Sequence, residues 1–108
     1  MHIDSEKYYE IYSDFCKAIA YPMRLKIIDV LKDERKSLGQ LLAELGTTKA
    51  NLSQHLKILR QQGIISSGRE GSTVYYSISN SNIAEVSLLI KKLLVERLKE
   101  EMPSFLSR

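Results

Sequence analysis

Between Thr47 and Gly63 the chain reads TTKANLSQHLKILRQQG, and no carboxylate interrupts it. Asn51 and Gln54 carry amides that give and take a hydrogen bond at once, the pairing that meets the edge of an adenine. Ser53 can donate or accept, and so can serve either strand. Lys49, Lys57 and Arg60 are cations of the kind that meet phosphate oxygens, contacts that position a protein without reading sequence. Leu52, Leu56 and Leu59 recur at spacings of four and three, the mark of a helix face that needs a core. A helix that buries one stripe and offers amides, hydroxyls and bases from the other suits a polyanion. The competing reading is an ordinary solvated helix face, and the elements around it must decide.

Other chemistry finds little support. There is no carboxylate pair, no nucleophile–base set and no glycine-rich phosphate loop, so the chain is not expected to be an enzyme. No cofactor and no metal site are expected. His2 stands near the N-terminus without a partner ligand. His55, between Gln54 and Leu56, reads more readily as a packed or backbone-bonded residue than as a ligand. Cys16 is the single cysteine. One thiol makes neither an intrachain disulfide nor a thiolate cluster, which fits a reducing cytoplasm. Beside Phe15 and Ala18 it reads as a small packed residue, against the sharper alternative of a redox thiol facing its copy across a dimer.

The chain has 108 residues, enough for one domain spanning 1–108, and 44% hydrophobic with 27% charged residues places it among folded chains. Its net charge of +3 is compatible with nucleic acid but weak as an argument alone. No apolar run approaches the roughly 20 residues of a membrane span, and MHIDSEKYYE has no apolar signal core. A cytoplasmic protein without membrane contact is expected.

Helical periodicity dominates the elements that must position the polar stretch. A first helix over about 4–20 carries Tyr8, Ile11, Tyr12 and Phe15 on one side. Pro22 opens a second, where a missing N–H costs nothing, with Leu25, Ile28 and Leu31 as its buried stripe. KDERK reads as a charged turn. Ser37 suits the cap of a short helix whose Leu38, Leu41, Leu42 and Leu45 face inward, and Gly46 ends it. Thr47 or Thr48 caps the polar-faced helix, about 48–62, which Gly63 closes. Two short helices meeting at a glycine-containing turn outline a helix-turn-helix. From 64 to 78 the period shortens to two around Arg69-Glu70-Gly71-Ser72, a hairpin with Val74, Tyr76 and Ile78 on its buried face. A last helix over about 82–101 carries Ile83, Val86, Leu89, Ile90, Leu93, Leu94 and Leu98, too wide a stripe for a lone surface helix, so a second chain should cover it. Pro103 stops it. The fold expected is mainly α with a small β-hairpin: a winged helix-turn-helix whose terminal helices form a dimer interface.

AIAYPMRLKIIDVL, LSQHLKILRQQGII and REGSTVYYSI, in that order and spacing, resemble the ArsR/SmtB family of winged-helix repressors. The resemblance runs from about Phe15 to Ile78 and is strongest around Ala20–Leu25 and Ser53–Leu56. It implies a homodimeric repressor that sits on a double-stranded DNA operator and leaves it when an inducer binds. The helix matching Thr48–Gln61 would enter the major groove, and the hairpin would lie along the backbone or minor groove. Thr48, Ala50 and His55 then join Lys49, Asn51, Ser53, Gln54, Lys57 and Arg60 as contact residues, with His55 meeting a phosphate or the helix framework. Arg69 and Ser72 would act from the hairpin. Ser72 and Thr73 stand where many relatives carry arginines, which implies a weaker hairpin grip. Tyr8, Ile11, Tyr12, Phe15, Ile83, Val86, Ile90, Leu93 and Leu94 would build the dimer.

Departures from the family pattern bear on the inducer. Its metal-sensing branch has a cysteine-x-cysteine pair where this chain has Ser37 and Gly39. Another branch uses histidines and carboxylates of the last helix, which here offers only Glu85, Glu96, Glu100 and Glu101. A sulfur-responsive branch uses two cysteines, and only Cys16 is present. The inducer, small molecule or oxidant, is therefore unassigned. Two rivals stand beside a DNA-binding repressor: a winged-helix module that binds protein, and a thiol-based redox repressor acting through Cys16. The carboxylate-free face from Thr47 to Gly63 favours DNA over protein.

Overall fold

The computed structural model describes residues 4–101. His2, given no metal role above, and Pro103, read as the stop of the last helix, lie outside them. Asp4 starts helix α1 (Ser5–Ile19), its carboxylate accepting the Lys7 N–H at 2.9 Å. Helix α2 (Pro22–Leu31) follows after a sharp corner, with proline in its first turn. Strand β1 (Lys36–Ser37) leads into helix α3 (Leu38–Leu45). Ser37 and Gln40 form a reciprocal capping box there, each side chain taking the other's backbone N–H. Gly46 ends α3 at φ +63°, a left-handed conformation that glycine adopts without penalty.

Helix α4 (Lys49–Gln61) begins at Thr48, whose hydroxyl takes the Asn51 N–H at 3.1 Å. Thr47 is left to accept from the Asn51 side chain at 2.9 Å. At the other end Gly63 (φ +72°) donates to the Arg60 carbonyl and Ile64 to that of Leu59, a Schellman closure. The chain passes from it into strand β2 (Ile65–Glu70) with no linker. Strand β3 (Thr73–Ile78) returns across a two-residue loop, Gly71-Ser72, and helix α5 (Ser81–Glu101) completes the fold. The sheet is antiparallel in the order β1-β3-β2.

The core unites all layers except α5: Ala18 from α1, Ile27, Ile28 and Leu31 from α2, Leu41 from α3, Leu52, Leu56 and Leu59 from α4, and Ile64 and Ile65 leading into the wing. Each of these apolar side chains leaves water for close-packed neighbours, the main favourable term in folding.

Three expectations are corrected here. On α2 the inward face passes through Arg24, Ile27, Ile28 and Leu31, whereas Leu25 is 45% exposed. The stripe is turned by about one residue, because an arginine fills the inner position at the start of the helix. KDERK is not wholly a turn, since Lys36 pairs with Tyr76 in β1. That lysine is also held between Glu44 (2.8 Å) and Glu34 (3.3 Å), and the Glu44 carboxylate foremost keeps its ammonium above its ordinary pKa. Finally, the two faces of β3 differ less in exposure than the alternation implied, since all six residues are half-buried. It is the central strand, Tyr76 and Ile78 pack on the core, and the Arg35 guanidinium lies 4.2 Å over the Tyr75 ring on the other face.

Candidate nucleic-acid interface

Helix α4 presents its polar side to water. Lys49, Ala50, Asn51, Ser53, Gln54, Lys57 and Arg60 are exposed, as is the capping Thr48, while the leucines at 52, 56 and 59 are sealed beneath. The first turn holds no acidic residue, so the positive end of the helix dipole stays uncompensated beside Lys49. An anion approaching this end meets amides, hydroxyls and ammonium groups together.

The individual side chains are not equally free. Asn51 already spends one amide hydrogen on Thr47, which fixes its orientation at the start of the helix. Arg60 donates to the Ser67 hydroxyl at 3.2 Å and so links α4 to β2, a tie that its reading as a simple phosphate partner did not include. His55 is half-buried, and its Nδ1 accepts from the Arg24 Nε at 3.0 Å. That bond ties it to α2, a contact outside both the phosphate and the own-helix roles considered for it. Burial first, and the Arg24 charge second, hold its pKa below the ordinary histidine value.

In the wing, Arg69 and Ser72 are exposed at the hairpin end. Glu70 beside them is paired with Arg35, which withdraws one carboxylate from the tip. Gly71 takes φ +63° at the first loop position, as a two-residue hairpin loop demands of its glycine.

The residues expected at a dimer interface separate into two sets. Tyr8, Ile11 and Tyr12 on α1, and Val86, Ile90, Leu93 and Leu94 on α5, are exposed, Leu93 to 69%. Phe15 and Ile83 instead pack partly against the chain's own core, so they anchor their helices from within. Cys16 is exposed, which corrects the expectation of a packed residue. The inward side of α1 belongs to Phe15, Ala18 and Ile19, and Cys16 falls outside that arc. Among the described residues no group of three histidine, cysteine, aspartate or glutamate side chains gathers as metal ligands. No described helix is long and apolar enough to cross a membrane.

Arg24 is the functional candidate that sequence reasoning missed. It is the one buried charged residue among those described, 8% exposed, and it touches three neighbours. The signal was its spacing of three and four from Ile27 and Ile28.

Two short helices, a capped polar-faced helix and a β-hairpin directly behind it define a winged helix-turn-helix transcriptional regulator. A family model for bacterial regulatory proteins of the arsR family matches residues 22–67. The HTH-type transcriptional regulator Rv0081 of Mycobacterium tuberculosis is 34% identical over 101 residues, 93% of this chain and 89% of its own. Its crystal structure superposes with a TM-score of 0.84 at 35% identity, covering 90% of this chain and 98% of that one. The transcriptional activator HlyU of Vibrio cholerae is 35% identical over 71% of each chain. Its reduced form superposes with a TM-score of 0.72 at 33% identity, over 82% of this chain and 93% of that one. The transcriptional repressor SdpR of Bacillus subtilis is 38% identical over 60% of this chain and 72% of its own. The chain belongs to the arsR family of bacterial regulatory proteins, and its role is regulation of transcription, not catalysis.

Proposed function

We propose that the protein is a homodimeric repressor that reads its operator with α4 and is released by an inducer. The observation that carries the reading is the exposed, carboxylate-free face of α4, with the wing set behind it. Gln54, Asn51 and Ser53 are the base readers, while Lys49, Lys57 and Arg69 meet phosphates. The exposed apolar residues of α1 and α5 form the contact between copies. Similarity to a named repressor supports the direction of control, and similarity to a named activator makes it worth measuring. The test selects duplexes from a random pool with the purified protein and then places the selected sequence ahead of a reporter promoter. Enrichment of a symmetric sequence and a reporter silenced by the protein are expected. A reporter switched on would make it an activator, and an unenriched pool would remove α4 as a reader.

The exposure of Cys16 favours a second reading, in which the inducing signal is an oxidant. HlyU, which has been solved in a reduced form, is a relative consistent with it. Under this reading a mild oxidant links two copies through Cys16 and frees the operator, and Cys16→Ser stays bound. Equal release of both proteins by oxidant would dismiss the thiol as the sensor.

A further inference from the structure

Apolar contacts hold α4 against the core but leave part of its rotation to directional bonds, of which Arg60 to Ser67 supplies one at its far end. Leu52, Leu56 and Leu59 are buried on one face, but the hydrophobic effect has no direction, and a stripe of leucines tolerates some turning about the helix axis. A guanidinium differs, because its donors leave in fixed directions within one plane. Arg24 uses two of them across an element boundary. Its Nη1 donates to the Ala18 carbonyl in the last turn of α1 at 3.1 Å, and its Nε donates to His55 Nδ1 on α4 at 3.0 Å. The same group lies 4.3 Å from the centre of the Tyr21 ring. No carboxylate is bonded to it. A buried charge is costly, and a site needing only bulk would be filled more cheaply by an apolar side chain.

We propose that Arg24 is a positioning residue for DNA recognition: by bridging the end of α1 to the imidazole of His55, it sets the rotation of α4. The inference rests on α4 being the DNA-reading element. His55 follows Gln54 and lies one turn beyond Asn51, so the rotation fixed at His55 aims both candidate readers.

The junction also dictates the state of the ring. An arginine Nε–H only donates, so Nδ1 must offer its lone pair and the proton of neutral His55 sits on Nε2. A doubly protonated imidazole has no lone pair left and sets a second cation against the guanidinium. Arg24, on α2, is the only charged group acting on the ring from the elements packed around it, among the described residues; α1 contributes the Ala18 carbonyl through Arg24. Because the folded pKa is depressed, the junction is complete above about pH 6.5, the ordinary histidine value. It is lost as the pH falls below that value and through the folded pKa.

The experiment compares a duplex selected by the wild type with a scrambled one, by fluorescence anisotropy from about pH 7.5 to 4.5, a range that reaches well below ordinary histidine titration. The wild-type preference for the selected duplex should fall about tenfold across that range, the worth of one hydrogen bond to a charged group. Nitrogen-15 spectra of the free protein should show the Nε2–H tautomer at neutral pH. Arg24→Gln should lower the preference already at neutral pH and flatten the profile. His55→Asn should flatten it too, whatever its affinity. Circular dichroism checks that Arg24→Gln folds; if it does not, Arg24→Lys takes its place, and the wild-type profile needs no variant. A preference that rises in acid would make His55 a cation meeting phosphate and overturn the proposal, as would an Nδ1–H tautomer. A wild type that selects no duplex refutes the reading of α4 and takes this proposal with it, a failure separate from the spectroscopic one.

Discussion

On the proposed reading, Gln54 and Arg69 would hold DNA in two ways that one titration can separate. Gln54 is exposed on the face of α4 with an amide that can bond a base edge twice, a pairing worth about 1–3 kcal/mol of discrimination. Arg69 stands on the hairpin, where a cation gains by releasing counterions, and that gain does not depend on sequence. Gln54→Ala should therefore weaken binding to the selected duplex and leave a scrambled one almost unchanged. Arg69→Ala should weaken both and make the salt slope shallower by about one ion per protomer. Anisotropy across a salt series checks both; equal losses for Gln54→Ala on the two duplexes would remove it as a reader. At this scale the polar face was legible because its residue types and their register appear in the one-dimensional pattern. Arg24 was not, since a buried arginine and a surface arginine are the same letter until their neighbours are known. Leu25 was misassigned for the same reason, since a leucine beside an arginine ordinarily claims the inner position.

The turns and caps carry most of the information that sets the elements in place. Ser37, Gly46, Thr48 and Gly63 each mark a boundary through local chemistry, so the helix-turn-helix could be bounded from sequence to within a residue or so. Strand β1 could not, because two residues contain no period and Lys36 owes its strand conformation to Tyr76 across the sheet. Gly71 offers the sharpest test. A Cβ built on it meets nothing within 4 Å, so any cost of Gly71→Ala is conformational and arises from φ +63°. That cost should be about 1 kcal/mol, read as a shift in urea midpoint, and Gly71→Asn should recover part of it. If alanine costs nothing, the hairpin loop in solution does not take the conformation described.

Taken as a whole, the molecule has a helix without an interior. Helix α5 runs for 21 residues and none of them is buried. It is held to its own domain near its start, where Ile83 packs on the core, and by an ion pair of Lys91 with Asp29. An apolar stripe exposed over that length is stable when another surface covers it. Replacing Ile90 and Leu93 with lysine should turn a dimer into a monomer or an unfolded chain, as measured by light scattering and circular dichroism. A wild type that is monomeric at micromolar concentration would contradict the assignment. The sequence announced the stripe plainly, but not that Phe15 and Ile83 would be drawn inward while Cys16 stayed out, because that division depends on how α1 and α5 are rolled against the core.

The passage from α4 into β2 has a mechanical meaning. Gly63 turns the chain within one residue, Ile64 and Ile65 are fully buried at the turn, and Arg60 reaches forward to Ser67. Between the end of the helix and the start of the strand there is no slack. Fraying cannot stop between them: opening the last turn of α4 pulls two isoleucines from the core, and lifting β2 strips the Schellman bonds from the helix. The end of α4 and the start of β2 should therefore open together. The bonded amides of this junction, those of Gln62, Gly63 and Ile64, should exchange with deuterium at a common rate. A disturbance at one element should therefore be felt at the other.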